Sequence, residues 1–129
     1  MTRLHHVALG ARDVEGVARF YRELFGLAEL RRHHHDDGTL RSIWLDLGGS
    51  ILMVERTSEE RTSAASRHVT GVASGPFLIA LRVPPSERTR LEAAIEQRGH
   101  HIDERSEYTT YTRDPEGNRV AFSHYPERG

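Results

Sequence analysis

"LHHVALGARDVEGVARFYRELFGL", residues 4–27, reads as an apolar strand that runs straight into a short amphipathic helix. Residues 4–10 alternate in the period-2 manner of a strand, with Val7 and Leu9 on one face and His6 and Ala8 on the other. Asp13 is a suitable helix N-cap. Val17, Phe20, Tyr21 and Leu24 follow it at helical spacing, and Gly26 supplies the stop. Two adjacent histidines, His5 and His6, lie within the strand, which raises the question of a metal site and of where its remaining ligands would be.

Downstream, residues 27–32, 40–47 and 51–55 read as further strands, separated by the turns "DGT" and "LGGS". Residues 56–75 are polar, hold few large apolar side chains and read as a linker or irregular loop. The pattern then starts again. "FLIALRVPPSERTRLEAAIEQRGHHI" gives a strand and a helix that buries Leu91, Ala94 and Ile95 and stops at Gly99. "IDERSEYTTYTRDPEGNRVAFSHYP" supplies the later strands, with a tight turn at "DPEG". "VALGARDV" from Val7 aligns with "IALRVPPS" from Ile79, an offset of 72 residues, and "DLGGSILMVE" from Asp46 aligns with "DPEGNRVAFS" from Asp114, an offset of 68. The chain is a duplicated βαβββ unit. Each copy is a sheet with a helix on one face and needs a second copy to close a core. The expected fold class is α+β: two such modules forming a curved-sheet cup with helices outside. Module one spans residues 1–55, the linker 56–75 and module two 76–129 of a single domain.

Composition narrows the field of function. The chain has 129 residues, no cysteine and a formal net charge of −1, which exclude a disulfide framework, thiolate metal sites and a nucleic-acid footprint. No stretch reaches the ~18 apolar residues of a membrane span, and no leader pattern opens the chain. A cytoplasmic protein with no nucleic-acid or membrane partner is the expectation. There is no G-x-S-x-G elbow, phosphate-binding glycine loop or H-E-x-x-H helix.

The stretches "HHVALGARDVEGVARFYRELFGL" and "YTRDPEGNRVAFSHYP" resemble the opening strand–helix and the closing "DPxGNxxEL" hairpin of the vicinal oxygen chelate superfamily, with Ala121 where glutamate is usual. That superfamily includes glyoxalase I, bleomycin-resistance proteins, fosfomycin-resistance enzymes and extradiol dioxygenases. In its metal-dependent members the resemblance implies two His/Glu ligands per module facing a shared cup. On this chain the first falls on His6 and the closing one on Ala121. The internal offsets carry these to Leu78 and Met53. Divalent cations of this kind take oxygen or imidazole ligands, typically three or more from the protein, and of the four positions only His6 offers one. The expected ligand set is therefore broken and no cofactor is expected; a divalent metal held at His6 is the alternative. Glu55, two residues past Met53, shares its face and is the candidate partner for a rearranged site. Histidines 33 to 35 fall on a turn, where solvent exposure is the usual fate.

Candidate ligand-binding residues are accordingly His6, Trp44, Met53, Glu55, Leu78, Tyr111 and Ala121, with Glu55 and His6 as candidate catalytic groups. Trp44, the single tryptophan, supplies a stacking wall if its face lines the cup. Tyr108 and Tyr111 lie on opposite faces of their strand, so at most one points inward. The leading expectation is a small-molecule-binding protein, homodimeric like bleomycin-resistance proteins, that sequesters a drug or natural product. The rival is an enzyme of the same fold, a lyase, isomerase or dioxygenase. It would use a rearranged metal site or metal-free acid–base chemistry at His6 and Glu55. A dimeric scaffold with a filled cup is the third reading.

Overall fold

The computed structural model describes residues 1–59 and 75–129; most of the expected linker lies outside them. Contacts divide the chain into two compact units, Met1–Glu60 and Arg61–Gly129. In unit one the order is β1 (His6–Ala11), α1 (Val14–Phe25), β2 (Glu29–His34), β3 (Leu40–Asp46) and β4 (Ile51–Arg56). In unit two it is β5 (Ile79–Arg82), a 3₁₀ turn (Pro85–Glu87), α2 (Arg88–Gln97), β6 (Ile102–Arg105), β7 (Thr109–Arg113) and β8 (Arg119–Ser123). Both units are βαβββ, each with a four-stranded mixed sheet, ordered β1-β4-β3-β2 and β5-β8-β7-β6. The duplication is exact in register. Ala8 pairs with Met53 in the parallel β1–β4 ladder, and Ala80 pairs with Ala121 in β5–β8, which are the same offsets of 72 and 68.

Local chemistry explains the elements. The Asp13 carboxylate accepts from Gly16 N at 3.0 Å and caps α1, and Gly26, at φ 69°, closes it with its N–H on Arg22 O. Val14, Val17, Ala18, Phe20, Tyr21 and Leu24 are buried along the helix, and across from them Ile43, Leu45, Leu52 and Val54 are fully buried. Phe20 and Tyr21 meet edge to face, 5.1 Å between ring centroids. α2 ends in a Schellman motif: Gly99 N reaches Glu96 O and His100 N reaches Ile95 O. Leu91 and Ile95 are its buried residues, while Ala94 is only half-buried. At the "DPEG" turn the buried Asp114 carboxylate accepts from Glu116 N, Asn118 N and Asn118 Nδ2, and Gly117 N donates to Asp114 O.

Boundaries differ from expectation by one or two residues at each strand of unit one, most at β1 and β2. β1 starts at His6 instead of residue 4, since Ile51 N donating to His5 O marks the end of its ladder. β2 runs on to His34, beyond residue 32, because the hairpin turn is confined to residues 35–39. There His35 N donates to Thr39 O, and Asp37 accepts from both the N–H and the hydroxyl of Thr39. His33 and His34 are therefore strand residues, with a register shift between them. No helix among the described residues is long and apolar enough to cross a membrane.

α1 is tied to β2 by charge as well as by packing. Glu29 accepts from Arg22 at 2.6 Å and from Arg32, which also reaches Glu15 on α1 at 3.1 Å. The hydrogen bond from Arg32 is the main reason the Glu29 carboxyl sits below its ordinary range. A depressed carboxyl stabilises the fold above its unfolded value and ceases to do so as pH falls through its folded one. Glu29→Gln is thus expected to lower stability at neutral pH by up to about 1 kcal/mol, the ceiling for a largely solvated pair. The deficit should begin to shrink below the ordinary glutamate value of ~4.3 and be gone once the pH lies below the depressed folded value. Urea melts of both proteins at neutral and acid pH check this; a deficit that persists in acid refutes it.

Candidate functional site

Strand register lays out the face of each sheet that points away from its helix. In unit one Val7, Leu9, Ile43, Leu45, Leu52 and Val54 share the α1 side, and the intervening residues form rows on the far face. One row runs Ala8, Met53, Trp44, Arg31 from β1 to β2. The next runs Gly10, Glu55, Ser42, His33. Below the first lie His6, Ile51 and Asp46. Unit two repeats the scheme with Ala80, Ala121, Tyr111 and Glu104 in one row and Arg82, Ser123 and Thr109 in the next.

The sequence candidates fall as follows. Trp44 and Met53 are cross-strand partners on the unit-one far face, both half-buried, with Glu55 one row on. Ala121 and Tyr111 are partners on the equivalent face of unit two, where Ala121 is fully buried. Leu78 is half-buried just before β5. Tyr108 precedes β7 and packs on His124 and Tyr125. His6 is exposed, its Nδ1 2.8 Å from that of His5, so one imidazole donates and the other accepts.

His6 and Glu55 are not brought together. Glu55 pairs with Gly10, four residues beyond His6 on the same strand, a separation of ~13 Å along the sheet. Side chains standing off a sheet do not close that gap to the ~4 Å between donors that share one ion. The donor set of the four family positions, one imidazole, one thioether and two hydrocarbons, does not fit a divalent cation either. Among the described residues there is no group of three or more His, Cys, Asp or Glu side chains placed to hold a metal.

The far face of unit one holds what the sequence reading missed. His33 faces Ser42 across the β2–β3 ladder, and its ring lies 4.8 Å from that of Trp44. His33 Nε2, Ser42 Oγ and Trp44 Nε1 are sealed from solvent without a hydrogen-bond partner, and they are the polar side-chain atoms among the described residues for which this holds. A sealed, unpaired polar group costs about 1–3 kcal/mol, so this face carries an unusual share of unsatisfied polar atoms. Centring the hairpin turn on Asp37–Gly38 would have carried β2 to His34 and turned His33 toward Trp44.

Unit two has a cleft of about 500 Å³ between Pro85, Arg88, Tyr108, His124 and Arg128. Its central guanidinium is already spent. Arg88 donates to Thr110 Oγ1 and to the carbonyls of Ser106, Glu107 and Thr109, bracing the β6–β7 turn against α2. His124 Nδ1 faces Glu127 O and therefore carries the proton, so Nε2 accepts from Arg88.

The profile of the Glyoxalase/Bleomycin resistance protein/Dioxygenase superfamily matches residues 3–122. No curated protein matches the chain. Among solved structures, a glyoxalase/dioxygenase from Nostoc punctiforme is 20% identical with a TM-score of 0.77, over 97% of this chain and 92% of that one. The fosfomycin resistance protein FosX from Listeria monocytogenes, in a variant complexed with Mn(II) and 1S,2S-dihydroxypropylphosphonic acid, is 13% identical at TM-score 0.75, over 96% and 93%. Lactoylglutathione lyase from Agrobacterium tumefaciens is 20% identical at TM-score 0.66, over 95% and 93%. At these identities the likeness is one of fold.

Ser42→Ala deletes a sealed hydroxyl that has no partner and creates no larger void than one oxygen. The unliganded protein should therefore hold its stability or gain about 1 kcal/mol. Urea denaturation measures the change; a loss of similar size shows that the hydroxyl is paired.

Proposed function

We propose, for a chain that belongs to the Glyoxalase/Bleomycin resistance protein/Dioxygenase superfamily, a role in binding a small organic molecule without a resident metal ion. The observation that carries this reading is the row Ala8–Met53–Trp44 on the far face of the unit-one sheet. A methyl, a thioether and an indole side by side make an apolar row, with Glu55, Ser42 and His33 in the next row. Apolar walls with a few convergent polar groups are the usual make-up of a small-molecule site. The thioether adapts to irregular ligand shapes and the indole stacks on planar ones.

Metal-dependent chemistry finds little support in the donor set. Met53, Leu78 and Ala121 stand where the resemblance implies His/Glu ligands, and His6 and Glu55 lie too far apart to replace them. The enzyme reading retains one favourable observation: Glu55, Ser42 and His33 stand abreast in a single row, a carboxylate, a hydroxyl and an imidazole on neighbouring strands. Metal-free acid–base chemistry would start there and not at His6.

Because Trp44 is the only tryptophan, its fluorescence reports on the site directly. A screen of planar natural products should find compounds that quench it saturably, and Trp44→Ala should weaken their binding by about 1–3 kcal/mol, read by calorimetry. Equal affinity for the variant places binding elsewhere. Protein purified without chelators should carry well under one equivalent of divalent metal, with EDTA leaving its melting temperature unchanged; a stoichiometric, stabilising ion overturns the metal-free reading. One-sided modules of this fold also favour pairing of copies, so we expect a homodimer at micromolar concentration by light scattering, against which a monomer would count.

A further inference from the structure

We draw no further inference here: the strongest candidate, the unit-two cleft between Pro85, Arg88, Tyr108 and His124, carries nothing, because Arg88 and His124 spend their hydrogen bonds on each other and on backbone carbonyls, its exposed charges Glu107 and Arg128 face one another, and nothing in the structure shows what would fill it.

Discussion

Parallel pairing of β1 with β4, in the register that sets Ala8 beside Met53, is the constraint on which the rest of unit one depends. Parallel neighbours cannot be joined by a tight turn. The chain must leave β1, cross through α1, and build β2 and β3 before it returns. That detour places the helix on one side of the sheet and obliges Val7, Leu9, Leu52 and Val54 to face it. Because side chains alternate strictly, the same register decides which residues stand on the far face. A slip of one residue would exchange the hydrophobic core for the candidate site. Unit two repeats the bargain through Ala80 and Ala121, so the duplication is preserved at the level of hydrogen-bond register as well as of sequence.

The far face of unit one departs from the economy of an ordinary sheet. Buried polar groups in folded proteins are nearly always paired, yet the three sealed, unpaired side-chain atoms of the described residues all belong to adjoining positions on this face. The charged groups elsewhere are used conservatively. Arg32, Glu29, Arg22 and Glu15 lock α1 to β2, and Arg88 spends its donors on a turn and on His124. Polar capacity is thus left unsatisfied at one place in a molecule that satisfies it so thoroughly in these others. The family accounts for the scaffold, and a fold of this kind does not by itself fix a function.

How much of this was legible from residues alone follows from the range of the interactions involved. Asp13 and Gly26 announced the ends of α1, Gly99 the end of α2, and Asp114 to Gly117 the last turn, because caps and turns are settled within a few residues. The alternation of Val7 and Leu9, or of Ile43 and Leu45, assigned faces correctly for the same reason. The duplication was visible because both copies keep their turn residues and apolar pattern. The histidine hairpin misled. A run of identical residues carries no periodicity, so nothing local said whether His33 belonged to the strand or to the turn. Its place was decided by where the turn closed, between His35 and Thr39.

By itself, then, the sequence determined the α+β class, the two βαβββ copies and the faces of the regularly alternating strand residues such as Val7, Leu9, Ile43 and Leu45. These are consequences of period, composition and short-range backbone chemistry. Tertiary structure alone decided which far-face residues are neighbours. Inter-strand register separated His6 from Glu55 and set His33 beside Ser42 and Trp44. It also set Arg31 beside the indole. The physical reason is that hydrogen-bond register between strands is a long-range property. It is fixed by how whole ladders close over a shared core, and no single strand carries the information needed to choose its partner's residue.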